Sequence, residues 1–243
     1  MTTKGPIIRA GIDYRRLLRS SNATGLFTAS NGGGPMKLHE TWGGAIDTTN
    51  QWTRTLGGSG TATVATLSGW RQLPLASAAT TDTVSVIARF VATNPIGLAS
   101  AMTDAIYKRA VMEWECRFLN VANMDNSKTA MLITYGATGT RDDNGAAGFV
   151  LDGDLLQTLT DNAGTEELNA VTPAPTLTVV NLLRIEVDTT GMDFYVNDAL
   201  VKRHSTSANL PTAALQPAFY NVSDAAAAST LRIGAFRFWM EEN

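Results

Sequence analysis

Two pairs of carboxylates in this sequence have the spacing that acid–base chemistry requires. Glu113 and Glu115 alternate along one predicted strand, and Glu186 and Asp188 alternate along another. Alternate residues of a strand project from one face, so each pair could direct two carboxyl groups into a single cleft. Hydrolysis of a glycosidic bond uses two such groups, one of them with a raised pKa. The simpler interpretation is a solvated sheet face on which arginines balance the acids.

Other catalytic and metal-binding residue sets are sparse. The sequence has two histidines, His39 and His204, both in polar segments that we expect to be exposed, and neither lies near a nucleophile elbow. The single cysteine, Cys116, lies on the same strand face as Met112, Trp114 and Phe118, which occur at every second position. It is therefore predicted to be an inert core thiol. Acidic turns at 142–144 and 152–154 offer oxygen ligands for calcium, but such turns form without a metal. We therefore predict no metal site and no cofactor.

A basic segment opens the chain. Residues 1–19 carry five lysines and arginines against one acid, whereas the whole chain has a net charge of −3. A glycine-rich joint at 31–35 follows, which predicts an extended N-terminal arm over residues 1–40. We expect the arm to bind an acidic partner subunit through basic and apolar side chains. The candidate contact residues are Ile7, Ile8, Arg9, Arg15, Arg16, Leu17, Leu18 and Arg19.

Composition argues against several classes of protein. Charged residues make up 17% of the chain, and threonine, alanine, glycine, asparagine and serine fill the polar positions instead. Five basic residues over positions 1–19, without a binding motif, do not predict nucleic-acid binding. The sequence has no apolar run of the ~20 residues that a membrane span needs and no signal-peptide layout, so we expect a protein made in the cytoplasm.

Alternating apolar and polar residues dominate the body of the chain. The alternation is clearest from Leu182 to Trp239, with turns predicted at 189–191 and 197–198. In the last strand the apolar positions switch from odd to even at 234–235, which indicates a β-bulge or two covered faces. Short strands without strong helices between them predict an all-β body over residues 41–243, in which two antiparallel sheets pack as a sandwich.

Four segments of this body resemble a known domain family. The segments are 40–52, 58–64, 183–201 and 210–239. The first two look like the opening strands of concanavalin A-like jelly-roll domains from structural proteins of tailed bacteriophages, and the last two look like the closing strands. The resemblance implies a jelly-roll sandwich whose last strand returns beside the first ones, so that Trp42 and Trp52 meet the region of residues 236–239.

Members of that phage group are similar in being virion components, such as capsid decoration proteins, head fibres or tail parts. The resemblance therefore implies a non-enzymatic structural protein, and we expect a capsid decoration (cement) protein that binds the outside of the shell through its arm. Its expected partners are the major capsid protein or other virion subunits and copies of itself, with neither nucleic acid nor membrane. Its expected location is the virion, assembled in the host cytoplasm.

Two other functions compete with decoration. The first is a lectin-like carbohydrate-binding module, for which Trp70 and Tyr135 are the candidate glycan contacts, because the core pattern explains their positions least. The second is a glycanase. Jelly-roll glycanases carry Glu-x-Asp-x-(x)-Glu on one strand, whereas the residues that follow Asp188 supply no second glutamate. That departure weighs against catalysis.

Overall fold

The structure is a computed structural model, and it describes most of the β body. The described residues are 37–40, 42, 46, 48, 52–67, 70–77, 83–88, 107–124, 130–134, 145–152, 154–162, 164–188, 190–206, 208–211, 216–223 and 227–242. The predicted arm contacts from Ile7 to Arg19, the acidic turn at 142–144 and Tyr135 lie outside them.

Sixteen strands and one short 3-10 helix, Val121–Asn123, account for the regular structure of these residues. The strands are β1 Lys37–Glu40, β2 Trp52–Leu56, β3 Thr61–Ala62, β4 Ala65–Leu67, β5 Trp70–Ser77, β6 Thr83–Ala88, β7 Tyr107–Leu119, β8 Ala130–Thr134, β9 Ala146–Asp152, β10 Leu155–Asn162, β11 Thr165–Ala170, β12 Asn181–Asp188, β13 Gly191–Val196, β14 Ala199–His204, β15 Gln216–Val222 and β16 Ser229–Glu242. Across the described ranges, no helix has the length and apolar character to cross a membrane.

The strands form two sheets that pack face to face. The nine-stranded sheet has the order β14-β13-β12-β7-β16-β5-β3, with β1 added beside β16 and β4 beside β5. The seven-stranded sheet has the order β11-β10-β9-β8-β15-β6-β2. The pairings between these strands are antiparallel. The predicted all-β sandwich of two antiparallel sheets is confirmed.

The inward faces of the two sheets form the core. Trp114 and Phe118 of β7 alternate with charged residues and are buried, as their spacing predicts. Trp114 packs edge-on against Phe149 of the other sheet, with ring centroids 5.9 Å apart. Cys116 lies in the same row, where burial and the neighbouring Glu115 charge raise the pKa of its thiol far above the ordinary value. It is an inert core thiol, as predicted.

Tight turns connect β12, β13 and β14 where the sequence predicts them. Asn197 and Asp198 both have positive φ, 51° and 68°, the conformation that a type I′ hairpin turn requires. At the start of β13, a Cβ atom on Gly191 would lie 2.4 Å from the carbonyl oxygen of His204. Only glycine permits so close an approach of the two strands.

A β-bulge in β16 determines which side chains face the core. Residues 234–235 lie opposite a single residue of β7, so the buried positions change from odd to even numbers at this point. The carbonyl of Gly234 in the bulge accepts a hydrogen bond from the indole N–H of Trp42. Trp42 packs on Trp52 with ring centroids 5.5 Å apart, and Trp52 packs on Phe236 at 6.0 Å. The predicted meeting of the two tryptophans with the last strand is confirmed.

The β body begins earlier than the sequence predicts. Lys37–Glu40, assigned to the arm, form β1 and pair with Phe236–Trp239 of β16. Because the partner is distant in sequence, the local pattern does not reveal this strand. Two strands contain residues that are uncommon inside sheets: Pro74 lies within β5, and Glu166-Glu167 lies within β11.

Replacing Trp42 by phenylalanine should destabilise the protein more than replacing Trp52 by phenylalanine. Both variants shrink one ring of the same buried cluster, but Trp42→Phe also leaves the Gly234 carbonyl without its indole donor. A buried acceptor that loses its partner costs about 1–3 kcal/mol. We expect the free energies of unfolding, measured by denaturant titration, to differ by this amount. Equal losses would show that the indole hydrogen bond does not hold the bulge.

Candidate functional site

Both predicted carboxylate pairs project from the nine-stranded sheet, on the side away from the core, which we call the outer face. β12 pairs with β7 so that Arg184 lies opposite Glu113 and Glu186 lies opposite Val111. Glu113 and Glu186 are therefore diagonal neighbours on adjacent strands. The described ionic residues of the outer face include Arg109, Glu113, Glu115, Arg117, Arg184, Glu186, Asp188, Asp193, Arg203, Arg232 and Arg237.

Glu113 is buried, so the expectation of a solvated pair is wrong. The residue is 3% exposed and Glu115 is 7% exposed. Arg237 of β16 brings its Nη2 atom to 2.6 Å from Oε1 of Glu113, and Arg184 of β12 brings its Nη1 atom to 3.6 Å from Oε2. A buried carboxylate is tolerated when cations and hydrogen bonds compensate for its lost hydration, and two guanidinium groups do so here.

Arg184 is the centre of this ion network. Its Nε lies 2.9 Å from Oε1 of Glu186, and its Nη1 lies 3.1 Å from Oδ1 of Asp198. Its guanidinium group also stacks over the ring of Tyr195 at 4.3 Å from the centroid. The other oxygen of Glu186, Oε2, lies 2.6 Å from Nη1 of Arg109. One arginine thus connects residues of β7, β12 and β13 with the turn after β13.

Three carboxylates of this face, those of Glu113, Glu186 and Asp188, are therefore already engaged, whereas Glu115 forms no ion pair among the described residues. Each carboxylate oxygen of Glu113 and of Glu186 has a guanidinium group beside it. Asp188 pairs with Arg203 at 3.0 Å and accepts a hydrogen bond from the hydroxyl of Thr190 at 2.7 Å. Partial burial raises the pKa of Asp188, but hydrogen bonds from Thr190 and Arg203 outweigh it and bring the pKa below its ordinary value. Glycosidase chemistry needs one carboxyl to donate a proton and another to face the sugar carbon or a water, and paired oxygens fit neither role.

A different arrangement occurs at Arg117 and Arg232, which lie opposite each other on β7 and β16. Both side chains are partly exposed, and the Nε atom of each is buried without a hydrogen-bond partner. In the part of the chain that the structure describes, no carboxylate forms an ion pair with either one. The outer face therefore contains a neutralised network on one side and an unneutralised pair of cations on the other.

A second polar cluster lies between the sheets at His204 of β14. The sequence predicts exposure, but the residue is fully buried. Its Nε2 lies 2.9 Å from the hydroxyl of Thr158 and its Nδ1 lies 2.8 Å from the hydroxyl of Thr160, both on β10 of the other sheet. The ring also packs on Phe194 at 4.8 Å. Burial lowers the pKa of His204 to about 4, although the Glu167 charge opposes the shift. This histidine is a neutral structural link between the sheets.

The remaining predicted site residues are only partly described. Trp70 begins β5 and pairs with Leu67 of β4, but its side chain, like Tyr135, lies outside what the structure describes. The glycan-contact role and the arm contacts therefore stay predictions. Within the described ranges, no group of three or more histidine, cysteine, aspartate or glutamate residues could hold a metal ion.

Sequence reasoning did not identify Tyr195, Arg232 or Arg237. Each occupies a polar position in an alternating strand, and that signal marks them as outward-facing. Their convergence depends on the placement of β7 between β12 and β16. Alternation gives the face of a residue but not its neighbour on a strand distant in sequence.

Comparison with known proteins identifies the fold. No protein-family model matches the sequence, and no curated protein matches it. The apo Crh5 transglycosylase is similar in structure, with a TM-score of 0.57 and 10% identity over 85% of each chain. A Shewanella oneidensis MR-1 protein of unknown function has a TM-score of 0.57 and 11% identity, covering 99% of this chain and 97% of that one. The binding domain of botulinum neurotoxin DC, solved with rat synaptotagmin II, has a TM-score of 0.51 and 11% identity.

The match to the neurotoxin domain covers 90% of this chain but 48% of that one, so the chain spans about half the length of the neurotoxin domains it matches. At these identities the likeness shows the fold, a jelly-roll-like β-sandwich that a transglycosylase and a neurotoxin binding domain share. The tailed-phage assignment receives no sequence-level support and stays a prediction.

Lowering the pH from 7 to 5 should destabilise the protein by about 2 kcal/mol through His204. The unfolded chain takes up a proton on this histidine near pH 6.5, whereas the folded protein does so near pH 4. The folded state therefore loses relative stability as the pH falls below 6.5. His204→Gln removes this titration and keeps a side chain that can bond to Thr158 or Thr160. Denaturant titration should show a smaller pH dependence in the variant, and parallel curves would contradict the burial of a neutral imidazole.

Proposed function

We propose that this chain is a non-enzymatic binding protein and not a glycan hydrolase. The observation that carries the proposal is that Glu113 and Glu186 are both paired with arginines. Each of their four carboxylate oxygens lies beside a guanidinium group. Carboxylates held in this way link neighbouring strands and have little access to a substrate. The fold is compatible with catalysis, as the transglycosylase demonstrates for its own chain, so the decision rests on the site.

Within this class, we propose a component of a tailed-phage virion, specifically a capsid decoration protein. Three observations support the assignment: the resemblance of residues 40–241 to phage jelly-roll domains, the basic character of residues 1–19, and the pairing of β1 with β16. That pairing fixes the segment after the arm to the sandwich. The proposed partners are acidic surfaces of the major capsid protein and copies of the same chain. Repetition of a small contact over a symmetric shell strengthens attachment through multivalency.

A lectin-like carbohydrate-binding role is the second candidate. Tyr195 favours it, because this aromatic residue is partly exposed on the outer face and lies beside the hydrogen-bonding groups of Arg184 and Asp193. Aromatic side chains with adjacent polar groups are typical of ligand sites. The Crh5 transglycosylase, solved with NAG, shows that a protein of this fold can hold a sugar. Trp70 and Tyr135 remain the other candidate contacts.

Glu113→Gln should reduce stability and should change no hydrolytic activity. The substitution removes one charge of a buried pair and leaves Arg237 partly uncompensated, which costs roughly 3 kcal/mol. Glu186→Gln is the matched control, because it makes the same change in the same network at a more exposed side chain, and we expect a smaller loss. Denaturant titration measures both. Release of reducing ends from glucans by the wild-type protein, abolished in Glu113→Gln, would overturn the non-enzymatic assignment.

Charge reversal in the arm should weaken attachment to shells that lack the decoration protein. We expect Arg16→Glu to reduce binding in cosedimentation, with salt weakening the wild-type interaction, because the contact is between opposite charges. Lys202→Glu is the control, since it makes the same charge change on β14 of the body. Deletion of the arm should stop before Lys37, so that β1 is retained. Full binding by Arg16→Glu and by the shortened chain would contradict attachment through the arm.

A further inference from the structure

The sheet brings two like charges into direct opposition at Arg117 and Arg232, which we call the arginine dyad. The two residues are cross-strand partners on β7 and β16, and like charges directly opposite each other destabilise an antiparallel pair. Burial, and secondly the Arg117 charge, lower the pKa of Arg232. The folded protein therefore holds this pair of cations against an electrostatic and a desolvation cost.

The dyad differs from the other arginines whose contacts the structure gives. The partnered arginines are Arg54, Arg71, Arg109, Arg184, Arg203 and Arg237. The first two donate hydrogen bonds to carbonyl oxygens, and the other four pair with carboxylates. Among the described residues, neither member of the dyad has a hydrogen bond or an ion pair. The Nε atoms of the dyad are buried without hydrogen-bond partners, as those of Arg184 and Arg237 also are, but in Arg184 and Arg237 an Nη atom pairs with a carboxylate. Two partly buried guanidinium groups without any acceptor are costly, so the dyad lacks an anion that would satisfy it.

The surroundings of the dyad are largely neutral, and both side chains are partly exposed. On the side away from β7, Arg232 lies opposite Pro74 of β5. The preceding outward position on β16 is Thr230, which is also partly exposed. Glu115 precedes Arg117 on the same face of β7, but it is buried and forms no ion pair with the dyad. An anion arriving from solvent would therefore meet two guanidinium groups and one nearby carboxylate, that of Glu115, whose charge repels it.

We propose that the arginine dyad binds an oxyanion group, a carboxylate, sulfate or phosphate, either free or carried on a saccharide. Guanidinium groups donate paired N–H bonds to such groups, and two of them can bind one anion from both sides. The bound anion replaces a repulsion between two cations by two attractions. This inference deepens the proposed binding role, on which it rests, by naming the chemical class of the ligand.

Thermal unfolding in the presence of inorganic sulfate or phosphate tests the site directly. Sodium chloride is exchanged for the salt of the oxyanion at constant ionic strength, so that general screening does not change. We expect a saturable rise of the unfolding temperature in the wild-type protein, because a ligand that binds only the folded state stabilises it. Glucuronate is then compared with glucose. A rise of the unfolding temperature with glucuronate but not with glucose shows that a saccharide can carry the oxyanion group. A wild-type protein that shows no saturable rise with any oxyanion overturns the proposal.

Single substitutions separate the dyad from general surface charge. We expect Arg117→Gln and Arg232→Gln each to weaken oxyanion binding by about tenfold or more, as loss of a charge-assisted pair does. Lys202→Gln is the matched control, because it removes one positive charge elsewhere, and it should leave binding unchanged. Glu115→Gln should strengthen oxyanion binding, because it removes the nearby carboxylate charge that repels the anion. Equal weakening by Arg117→Gln and Lys202→Gln would overturn the site.

Two further measurements distinguish a loss of oxyanion binding from a loss of folding and from a loss of shell attachment. Without oxyanion, Arg117→Gln should unfold at the same temperature as the wild type or higher, because it relieves the repulsion between Arg117 and Arg232. A loss of oxyanion binding in this variant then does not result from a loss of folding. Shell binding is measured on the same variants. Lost or absent oxyanion binding with intact shell attachment overturns the dyad alone, whereas saturable oxyanion binding without shell attachment overturns the decoration role and supports the dyad.

Discussion

The β-bulge in the last strand is the constraint on which the rest of the structure depends. β16 is 14 residues long and pairs with β7 on one side and with β5 and β1 on the other. Leu231 and Ile233 precede the bulge, and Phe236 and Phe238 follow it. With unbroken alternation, these two apolar clusters would face opposite sides of the sheet. The extra residue at 234–235 turns both clusters to the core and, by the same change of parity, places Arg232 and Arg237 together on the outer face. The carbonyl of Gly234 is held by the indole of Trp42, so the segment after β1 is attached where the parity changes.

Alternation within a strand predicted much of the fold but little of the site. It gave the all-β class, the hairpin turns and the inward row around Trp114, because each depends on residues close in sequence. It gave His204 the wrong environment, since the neighbouring Lys202 and Arg203 are polar and the threonines that bury the ring belong to the other sheet. The partners of Glu113 depend on strand order, which a single sequence does not contain.

The ion network and the arginine dyad show two uses of charge on one face. From β12 through β7 to β16, Arg184, Glu113 and Arg237 form an unbroken row of alternating sign with little access to water. Electrostatic attraction is stronger in such surroundings than in solvent, so the row links the strands at the middle of the sheet. Further along β7 and β16, Arg117 and Arg232 form a separate cross-strand pair in which both charges are positive. The first arrangement is complete within the chain, whereas the second requires a group from outside it.

The position of β1 also determines how the protein would bear mechanical load. Its four residues run antiparallel to Phe236–Trp239, so Lys37, the first residue of β1, lies beside Trp239 near the end of β16. A pull on that chain along the strand axis loads all the β1 hydrogen bonds at once, in shear, instead of opening them one after another. Trp42, two residues after β1, adds a hydrogen bond from its indole N–H to the carbonyl of Gly234 in the bulge. The junction between β1 and the rest of the β body therefore resists tension along the strand axis.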